Sequence, residues 1–253
     1  MVVNIGEKSE IYLKAYLLRE KDKKYTNTIF KRITQLSDDG NLDELKWIAD
    51  AEEYLQSYDI ENLKKELKIA KSHSSSKSDI TINDVNYSVK DVGGAPPSII
   101  NHTTRPGFER VCKYLEVDIA TLDKIIDDYW DKRMAGDIKE DVINSDSDSS
   151  PFFVHKDYLE PIINYFTFTG TGSKDSDFPA DKILELDYVN LPESIKISEK
   201  RVYFDSTWKS LQISVRSKAM PEKYPNCKNS KSIGKWTRSI QGKNRGSFHI
   251  RVR

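Results

Sequence analysis

Cysteine and histidine are scarce in this sequence of 253 residues, which contains two cysteines and four histidines. Cys112 and Cys227 match no spacing of a metal site or a redox motif, and the histidines are too scattered to suggest a zinc cluster. Structural disulfides are typical of secreted proteins rather than of reducing compartments. The sequence therefore predicts a protein of a reducing compartment without a structural metal.

Long apolar runs are also absent. No run approaches the roughly 18 residues needed to span a bilayer. Glu7, Lys8 and Glu10 occupy positions where a signal peptide needs an apolar core. We therefore expect a cytoplasmic protein that does not associate with a membrane.

Positive charge is concentrated in the last fifth of the chain, although the net charge of the whole sequence is zero. Residues 201–253 contain 13 Lys or Arg against Asp205 and Glu222, so their net charge is +11 and that of residues 1–200 is −11. Such a segment suits nucleic acid, because cations neutralise phosphates while amides and hydroxyls contact base edges. A solvated surface is the alternative interpretation. The candidate DNA contacts are Lys231, Lys235, Arg238, Gln241, Lys243 and Arg245.

Apolar periodicity predicts an α/β (α+β) chain without internal repeats. The charge distribution divides it into a core of residues 1–200 and a basic, β-rich segment of residues 201–253, which we expect to pack into the same domain. Ile11, Ala15 and Leu18 form one stripe of the first helix. The predicted helices lie at residues 7–19, 42–57, 60–71, 107–115, 118–133 and 155–166. Asp118 is the expected N-cap of the fifth, and the sixth is interrupted or started at Pro161. The predicted strands of the last quarter lie at residues 182–187, 194–198, 201–204, 211–217 and 247–252, and loops at 93–107, 143–150 and 169–179.

Residues 78–91 predict a β-hairpin with a two-residue turn at Asn83-Asp84. That turn pairs Ile82 with Val85, Thr81 with Asn86, Ile80 with Tyr87, and Asp79 with Ser88. Ile80, Ile82, Val85, Tyr87 and Val89 then share an apolar face, while Asp79, Thr81, Asn86, Ser88 and Lys90 share the polar face. The hairpin therefore brings a carboxylate, a hydroxyl and an ammonium group onto one patch.

This trio suits phosphodiester hydrolysis. Asp79 and the backbone carbonyl of Val89 can hold Mg²⁺ together with water and a substrate phosphate. The Lys90 ammonium can lower the pKa of an attacking water and stabilise the charged transition state. The same residue types also occur on the solvent face of ordinary hairpins, which is the competing interpretation.

Motif order resembles that of the PD-(D/E)xK nucleases, and in particular the HpaII-like restriction enzymes, over about the first 110 residues. The segment 6-GEKSEIYLKAYLL-18 resembles their opening helix, and SDI, SVK and GGAPPSIINHTT follow in the family's order. The resemblance implies a mixed central sheet flanked by helices. It also implies that Asp79 binds the metal and that Lys90 is the catalytic lysine. Ser88 occupies the position where the commonest pattern has Glu.

A serine cannot supply a second anionic metal ligand, so another carboxylate is expected at the site. By the resemblance, Glu10 on the first helix approaches the metal, and Glu7 competes for this role one turn earlier. Asp84, in the turn, and Asp91, on the face opposite Lys90, are weaker candidates. The following loop adds candidate DNA contacts at Ser98, Asn101, His102, Thr103 and Arg105; a polar connection with a helix N-cap at Thr104 is the alternative.

The resemblance implies a prokaryotic type II restriction endonuclease that cleaves double-stranded DNA at a short recognition sequence with Mg²⁺. It also implies a cognate DNA methyltransferase, which is not a physical partner. A palindromic site is compatible with a homodimer and with a monomer that nicks each strand in turn. A non-enzymatic DNA-binding protein and a nuclease acting on RNA or structured nucleic acid are the alternatives.

Overall fold

The computed structural model describes Gly6 and residues 9–14, 76–82, 84–190 and 193–253. The chain forms two compact units. The first unit comprises Met1–Ala95 and Ser176–Lys200, and the second comprises Pro96–Asp175 and Arg201–Arg253. Residues 201–253 thus share a unit with residues 96–175, while the predicted functional division at residue 200 stays a prediction.

The chain is a mixture of helices and strands, as predicted. In chain order, the strands are β1 (Ile80–Ile82), β2 (Val85–Asp91), β3 (Ser98–Thr104), β4 (Asp141–Ile143), β5 (Lys182–Leu186), β6 (Lys196–Glu199), β7 (Leu211–Arg216), β8 (Arg238–Ile240), β9 (Lys243–Arg245) and β10 (Ser247–Val252). The helices are α1 (Arg105–Tyr114), α2 (Ile119–Ala135), α3 (Lys156–Asn164), α4 (Lys200–Thr207) and α5 (Ser230–Trp236). Residues 9–14 are also helical. Among the described residues, no helix combines the length and the apolar composition needed to cross a membrane.

The first unit contains a four-stranded sheet in the order β1-β2-β5-β6. Strands β2 and β5 are parallel, whereas β1 and β6 pair antiparallel with their neighbours. One face of this sheet carries the apolar core, which consists of Leu13, Ile80, Ile82, Tyr87, Leu184, Leu186 and Ile195, with Val85, Val89 and Ile197 packed against it. The predicted apolar face of the hairpin is therefore confirmed.

The helix at residues 9–14 is buried on more than one side, whereas the predicted apolar stripe covers only one side. Ile11 of the predicted stripe is buried, and so is Leu13, which points to another side of the helix. Ser9 and Glu10 are buried as well. The remainder of the predicted stripe and the predicted helices at 42–57 and 60–71 lie outside the described residues.

The second unit contains an antiparallel sheet in the order β3-β10-β7-β4. Phe248 and Ile250 of β10 and Ile213 and Val215 of β7 are buried on one face. The Phe248 ring packs against Phe152, against Phe108 of α1 and against Trp236 of α5. Because side chains alternate along a strand, the intervening residues of β7 and β10 lie on the opposite face.

Three local predictions are wrong. Residues 201–204 belong to α4, where the buried side chains Tyr203, Phe204 and Thr207 have helical spacing; a run of four residues was too short to reveal that period. Residues 98–104 form β3, because β10 supplies a pairing partner far along the chain. The basic segment contains α5 in addition to strands.

The other described helices largely confirm the sequence predictions. Asp118 caps α2 by accepting a hydrogen bond from the backbone N–H of Ala120 at 2.9 Å. Helix α3 continues through Pro161 rather than starting or breaking there. Thr104 is the N-cap residue of α1, although its side chain makes no capping hydrogen bond.

Candidate active site

The hairpin has the predicted register. Ile80 pairs with Tyr87, Thr81 with Asn86, and Ile82 with Val85, which leaves a two-residue connection. Asp84 in this connection has a φ of 58°, a left-handed conformation that Asp tolerates better than most residues. The backbone N–H of Asp79 donates to the carbonyl of Tyr87 at 2.8 Å and extends the pairing by one step. This step places Asp79 beside Ser88.

The three predicted polar side chains meet in one hydrogen-bonded chain. The Asp79 Oδ2 accepts from the backbone N–H of Val89 at 2.7 Å and from the Ser88 hydroxyl at 3.3 Å. The Lys90 Nζ donates to the Ser88 Oγ at 2.9 Å. Ser88 is buried and connects the carboxylate to the ammonium. This serine is therefore part of the hydrogen-bonded arrangement.

Lys77 joins this group, and the sequence prediction missed it. Burial and the nearby positive charge of Lys90 lower the pKa of Lys77 to about 8, while the Asp79 carboxylate acts in the opposite direction. Lys77 precedes Asp79 by two residues, so the alternation that unites Ser88 and Lys90 could have revealed it. We call Lys77, Asp79, Ser88 and Lys90 the Asp79 cluster.

The Asp79 cluster has more positive than negative charge. Burial lowers the pKa of Lys90, and the Asp79 carboxylate partly compensates. Within the cluster, two ammonium groups beside the Asp79 carboxylate favour an additional anion, such as a phosphate oxygen. Their partial burial strengthens that attraction, since solvent screens buried charges less. The cluster is thus electrostatically suited to a phosphodiester.

The oxygen ligands at the cluster fit a magnesium ion that keeps water in its shell. Magnesium is commonly held by one or two carboxylates, with water and substrate phosphate completing an octahedron. Asp79 supplies a carboxylate, and the Val89 carbonyl lies at the same edge of β2 as the Val89 N–H that donates to Asp79. Within the described ranges, no group of three or more His, Cys, Asp or Glu side chains could form a closed cage.

The first helix contributes buried polar groups to the same unit. Glu10 forms an ion pair with Lys14 at 2.6 Å, and Ser9 donates a short hydrogen bond to Asp91. Asp91 is buried at the end of β2, on the face that strand alternation assigns opposite Lys90. That Glu10 joins Asp79 at a metal ion stays a prediction, and Glu7 lies outside the described residues.

Register also places Glu185 of β5 next to Lys90 of β2. Sequence alone could not reveal this neighbour, because the parallel pairing joins strands about a hundred residues apart. The Glu185 carboxylate forms an ion pair with Lys196 of β6 at 3.4 Å. A charged row of Lys90, Glu185 and Lys196 therefore crosses the sheet beside the Asp79 cluster.

The structure places most of the other predicted DNA contacts at accessible positions of the second unit. Asn101 on β3, Lys231 and Lys235 on α5, and Gln241 and Lys243 at the β8–β9 turn are all exposed. Gln241 has a φ of 52° and is followed by Gly242 with a φ of 73°, so the turn is tight and projects its side chains outward. Arg238 and Arg245 are partly engaged with Asp127 and Glu140. Ser98, His102 and Thr103 lie on β3.

Arg105 differs from the expected surface contact. Its side chain is 2% exposed, and its Nε and Nη2 atoms donate to Asp123 at 2.6 Å each. Ser232 of α5 also accepts from its guanidinium at 3.0 Å. These contacts join α1, α2 and α5, so a DNA contact by Arg105 would require them to break.

Replacing Lys77 by methionine is expected to stabilise the protein at pH 7 by about 1–3 kcal/mol, because a lysine with a lowered pKa is costly to fold in its charged form. The folded lysine loses its proton near pH 8, and the unfolded lysine near pH 10.5. Between these values the unfolded state binds more protons, so wild-type stability rises with pH and the advantage of Lys77→Met shrinks. Urea unfolding at pH 7 and pH 9.5 measures the effect.

The matched control is Lys196→Met, which removes an ammonium group from the same sheet. The Lys196 side chain is 57% exposed. Its difference from the wild type should stay nearly constant between the two pH values. A constant difference for Lys77→Met as well would contradict the proposed lowered pKa.

Asp79, Ser88 and Lys90, expected from the sequence, are thus brought together by the hairpin, and Lys77 is added to them. The metal ligands and DNA contacts remain predictions about chemistry. Comparison of the chain with protein-family models, curated proteins and solved structures finds no match.

Proposed function

We propose that this protein is a Mg²⁺-dependent, site-specific endonuclease of double-stranded DNA, of the type II restriction class and with a PD-(D/E)xK core. The observation that carries the proposal is the hydrogen-bonded chain from Asp79 through Ser88 to Lys90. The two lysines beside the Asp79 carboxylate suit a site that must attract a phosphodiester. The motif order of the sequence supports the same assignment.

Each residue of the Asp79 cluster then has a role that follows from its contacts. Asp79, held in place by the Val89 N–H, would bind the magnesium ion together with the Val89 carbonyl. When bound, this ion polarises the phosphoryl oxygen as a Lewis acid. Lys90 stabilises the negative charge that develops on the phosphate and orients the attacking water. Ser88 holds the Lys90 ammonium at 2.9 Å and thereby limits its movement.

Lys77 is assigned an electrostatic role in the same proposal. Its ammonium adds positive charge to the cluster at neutral pH, although its lowered pKa makes this charge sensitive to alkaline conditions. The positive charges of Lys77 and Lys90 both make binding of an anionic phosphodiester at the cluster more favourable than binding of water. Glu10 remains the candidate for a second anionic ligand, by the family pattern alone.

DNA is held, in this proposal, by the basic second unit. Lys231 and Lys235 are four residues apart on α5, so they share one side of that helix. The exposed β8–β9 turn presents Gln241, whose amide can form two hydrogen bonds with an adenine edge, beside Lys243, which can contact phosphate or guanine. A cognate methyltransferase and, for a palindromic site, a homodimer belong to the proposal as well.

The test is one cleavage assay on four substrates: plasmid, linear duplex, single-stranded DNA and folded RNA, each with Mg²⁺ or with EDTA. We expect discrete fragments from duplex DNA only when Mg²⁺ is present. Salt-sensitive binding without cleavage would favour a non-enzymatic DNA-binding protein. Cleavage confined to RNA or single strands would favour the other nuclease class.

A further inference from the structure

One face of the sheet β3-β10-β7-β4 is polar across three strands. Ser247, His249 and Arg251 alternate with the apolar residues of β10, and they pair in register with Arg216, Ser214 and Gln212 of β7. His102 of β3 stacks on His249, with ring centroids 4.4 Å apart and an interplanar angle of 7°. Of these β7 and β10 residues, the sequence pattern points to Arg251 alone, as one of the cations of the basic C-terminal stretch. We call this surface the His249 face.

Three buried nitrogen atoms of the His249 face have no hydrogen-bond partner among the described residues. They are the Nδ1 atoms of His102 and His249 and the Nε of Arg251. The other ring nitrogen of His249 lies 3.3 Å from the Ser98 hydroxyl, so the ring is held in place. The His249 side chain is itself 8% exposed. Since buried polar atoms are nearly always paired, these nitrogen atoms can pair with a hydrogen-bonding partner that binds to this face.

The charges around these nitrogens select the sign of that partner. Burial, and after it the positive charges of Lys218, Arg216 and Arg251, lower the pKa of His102. Burial together with His102, Arg216 and Arg251 lowers the pKa of His249 to about 4. The opposing carboxylate is Asp141 of β4, which bonds to Arg216 at 2.5 Å and lies 4.0 Å from Arg251. Glu140 lies 3.9 Å from Arg216 but also pairs with Arg133 and Arg245.

A metal cation is a poor candidate for this partner. Two imidazoles could coordinate a transition metal, but three cationic side chains would repel it. An oxyanion gains from the same charges and accepts hydrogen bonds from guanidinium and imidazole N–H groups. The site is also open to a ligand, because Lys218 is exposed and the side chains of Arg216 and Arg251 are 27% and 28% exposed.

We propose that the His249 face binds a phosphate group of the nucleic-acid backbone, held by Lys218 and Arg251 and by an N–H of the stacked histidine pair. The choice of nucleic acid as the source of the phosphate rests on the proposed function, whereas the oxyanion chemistry does not. A bound phosphate stabilises the protonated imidazole, so binding takes up a proton at His249 from solvent. Affinity therefore increases as the pH falls through the His249 pKa of the complex.

The experiment measures binding of a fluorescent duplex in EDTA, so that cleavage plays no part. Lys218→Gln and Arg251→Gln are each compared with the wild type at several salt concentrations. We expect each variant to bind about 5- to 20-fold more weakly, with a salt slope shallower by about one. Lys132→Gln on α2 is the control: it also removes one positive charge but lies on the helix that packs towards the apolar side of the sheet.

NMR titration of the histidine rings measures the pKa of His249, which binding of duplex would not change if the residue had a merely structural role. Addition of duplex is expected to raise the pKa of His249 from about 4, and His249→Gln should reduce the tightening of binding between pH 8 and pH 5.5. Lys218 is exposed, so Lys218→Gln carries little folding risk. If this variant binds duplex as tightly as the wild type and the duplex leaves the pKa of His249 unchanged, the inference is overturned. A shift with inorganic phosphate but none with duplex overturns the nucleic-acid assignment. Absence of any duplex binding by the wild type overturns the proposed function itself.

Discussion

Asparagine in place of Asp79 is expected to reduce DNA cleavage in Mg²⁺ by at least about 1,000-fold while leaving binding in Ca²⁺ within a few-fold of wild type. The amide oxygen of asparagine can still accept the hydrogen bond that the Val89 N–H donates at 2.7 Å. The fold of the hairpin is therefore retained, and the negative charge is lost. Cleavage rates under single-turnover conditions and binding by fluorescence anisotropy provide the two measurements.

Asp84→Asn is the matched control for this substitution. It makes the same chemical change in the same hairpin, at an exposed turn position whose left-handed backbone asparagine also tolerates. Its cleavage rate should equal that of the wild type. If Asp79→Asn cleaved normally, or lost binding and cleavage in equal measure, the carboxylate would have a structural role rather than a catalytic one.

Methionine in place of Lys90 is expected to lower the cleavage rate by at least about 1,000-fold, because it removes the charge that stabilises the transition state. It should also raise the free energy of unfolding at pH 7, since burial lowers the pKa of the half-buried Lys90 and its charged form is costly to fold. Loss of rate with a gain in stability is the signature of a residue retained for function. Single-turnover cleavage and urea unfolding measure the two effects.

The pH dependence of cleavage provides a second check on Lys90. A role that requires the ammonium form predicts that the rate falls at alkaline pH, with a midpoint below the ordinary lysine value of about 10.5. Lys182→Met, which removes a partly buried ammonium from β5, is the control and should cleave normally. A rate that instead rises steadily as Lys90 loses its proton would contradict a charge-stabilising role.

Local patterns predicted the parts of the fold whose contacts are close in sequence. The two-residue turn and the alternation of apolar residues determine the pairing of Ile80 with Tyr87 and the separation of the two hairpin faces. Helix α2 was likewise predicted from its cap at Asp118 and its apolar period. Predictions failed for short segments whose structure depends on contacts with distant parts of the chain. Examples are α4 and β3, whose partner strand β10 lies at the other end of the chain.

The candidate sites differ in the same way. Asp79, Ser88 and Lys90 lie within 12 residues of each other, so hairpin geometry alone was enough to unite them. The His249 face joins β3, β7 and β10, and Ser98 and His249 are 151 residues apart in sequence. No local spacing relates those positions, which is why His249 and Arg216 were not predicted.

The sequence by itself determined the hairpin, its register and the polar trio at its end, because turn length and side-chain alternation act within a dozen residues. Only the tertiary structure decided which distant charges lie near each site: Glu185 beside Lys90 of the hairpin, and Arg216, Lys218 and Arg251 beside the stacked histidines. The physical reason is that a pKa and a hydrogen-bond deficit depend on burial and on neighbours from other strands. Those neighbours are set by packing rather than by sequence spacing.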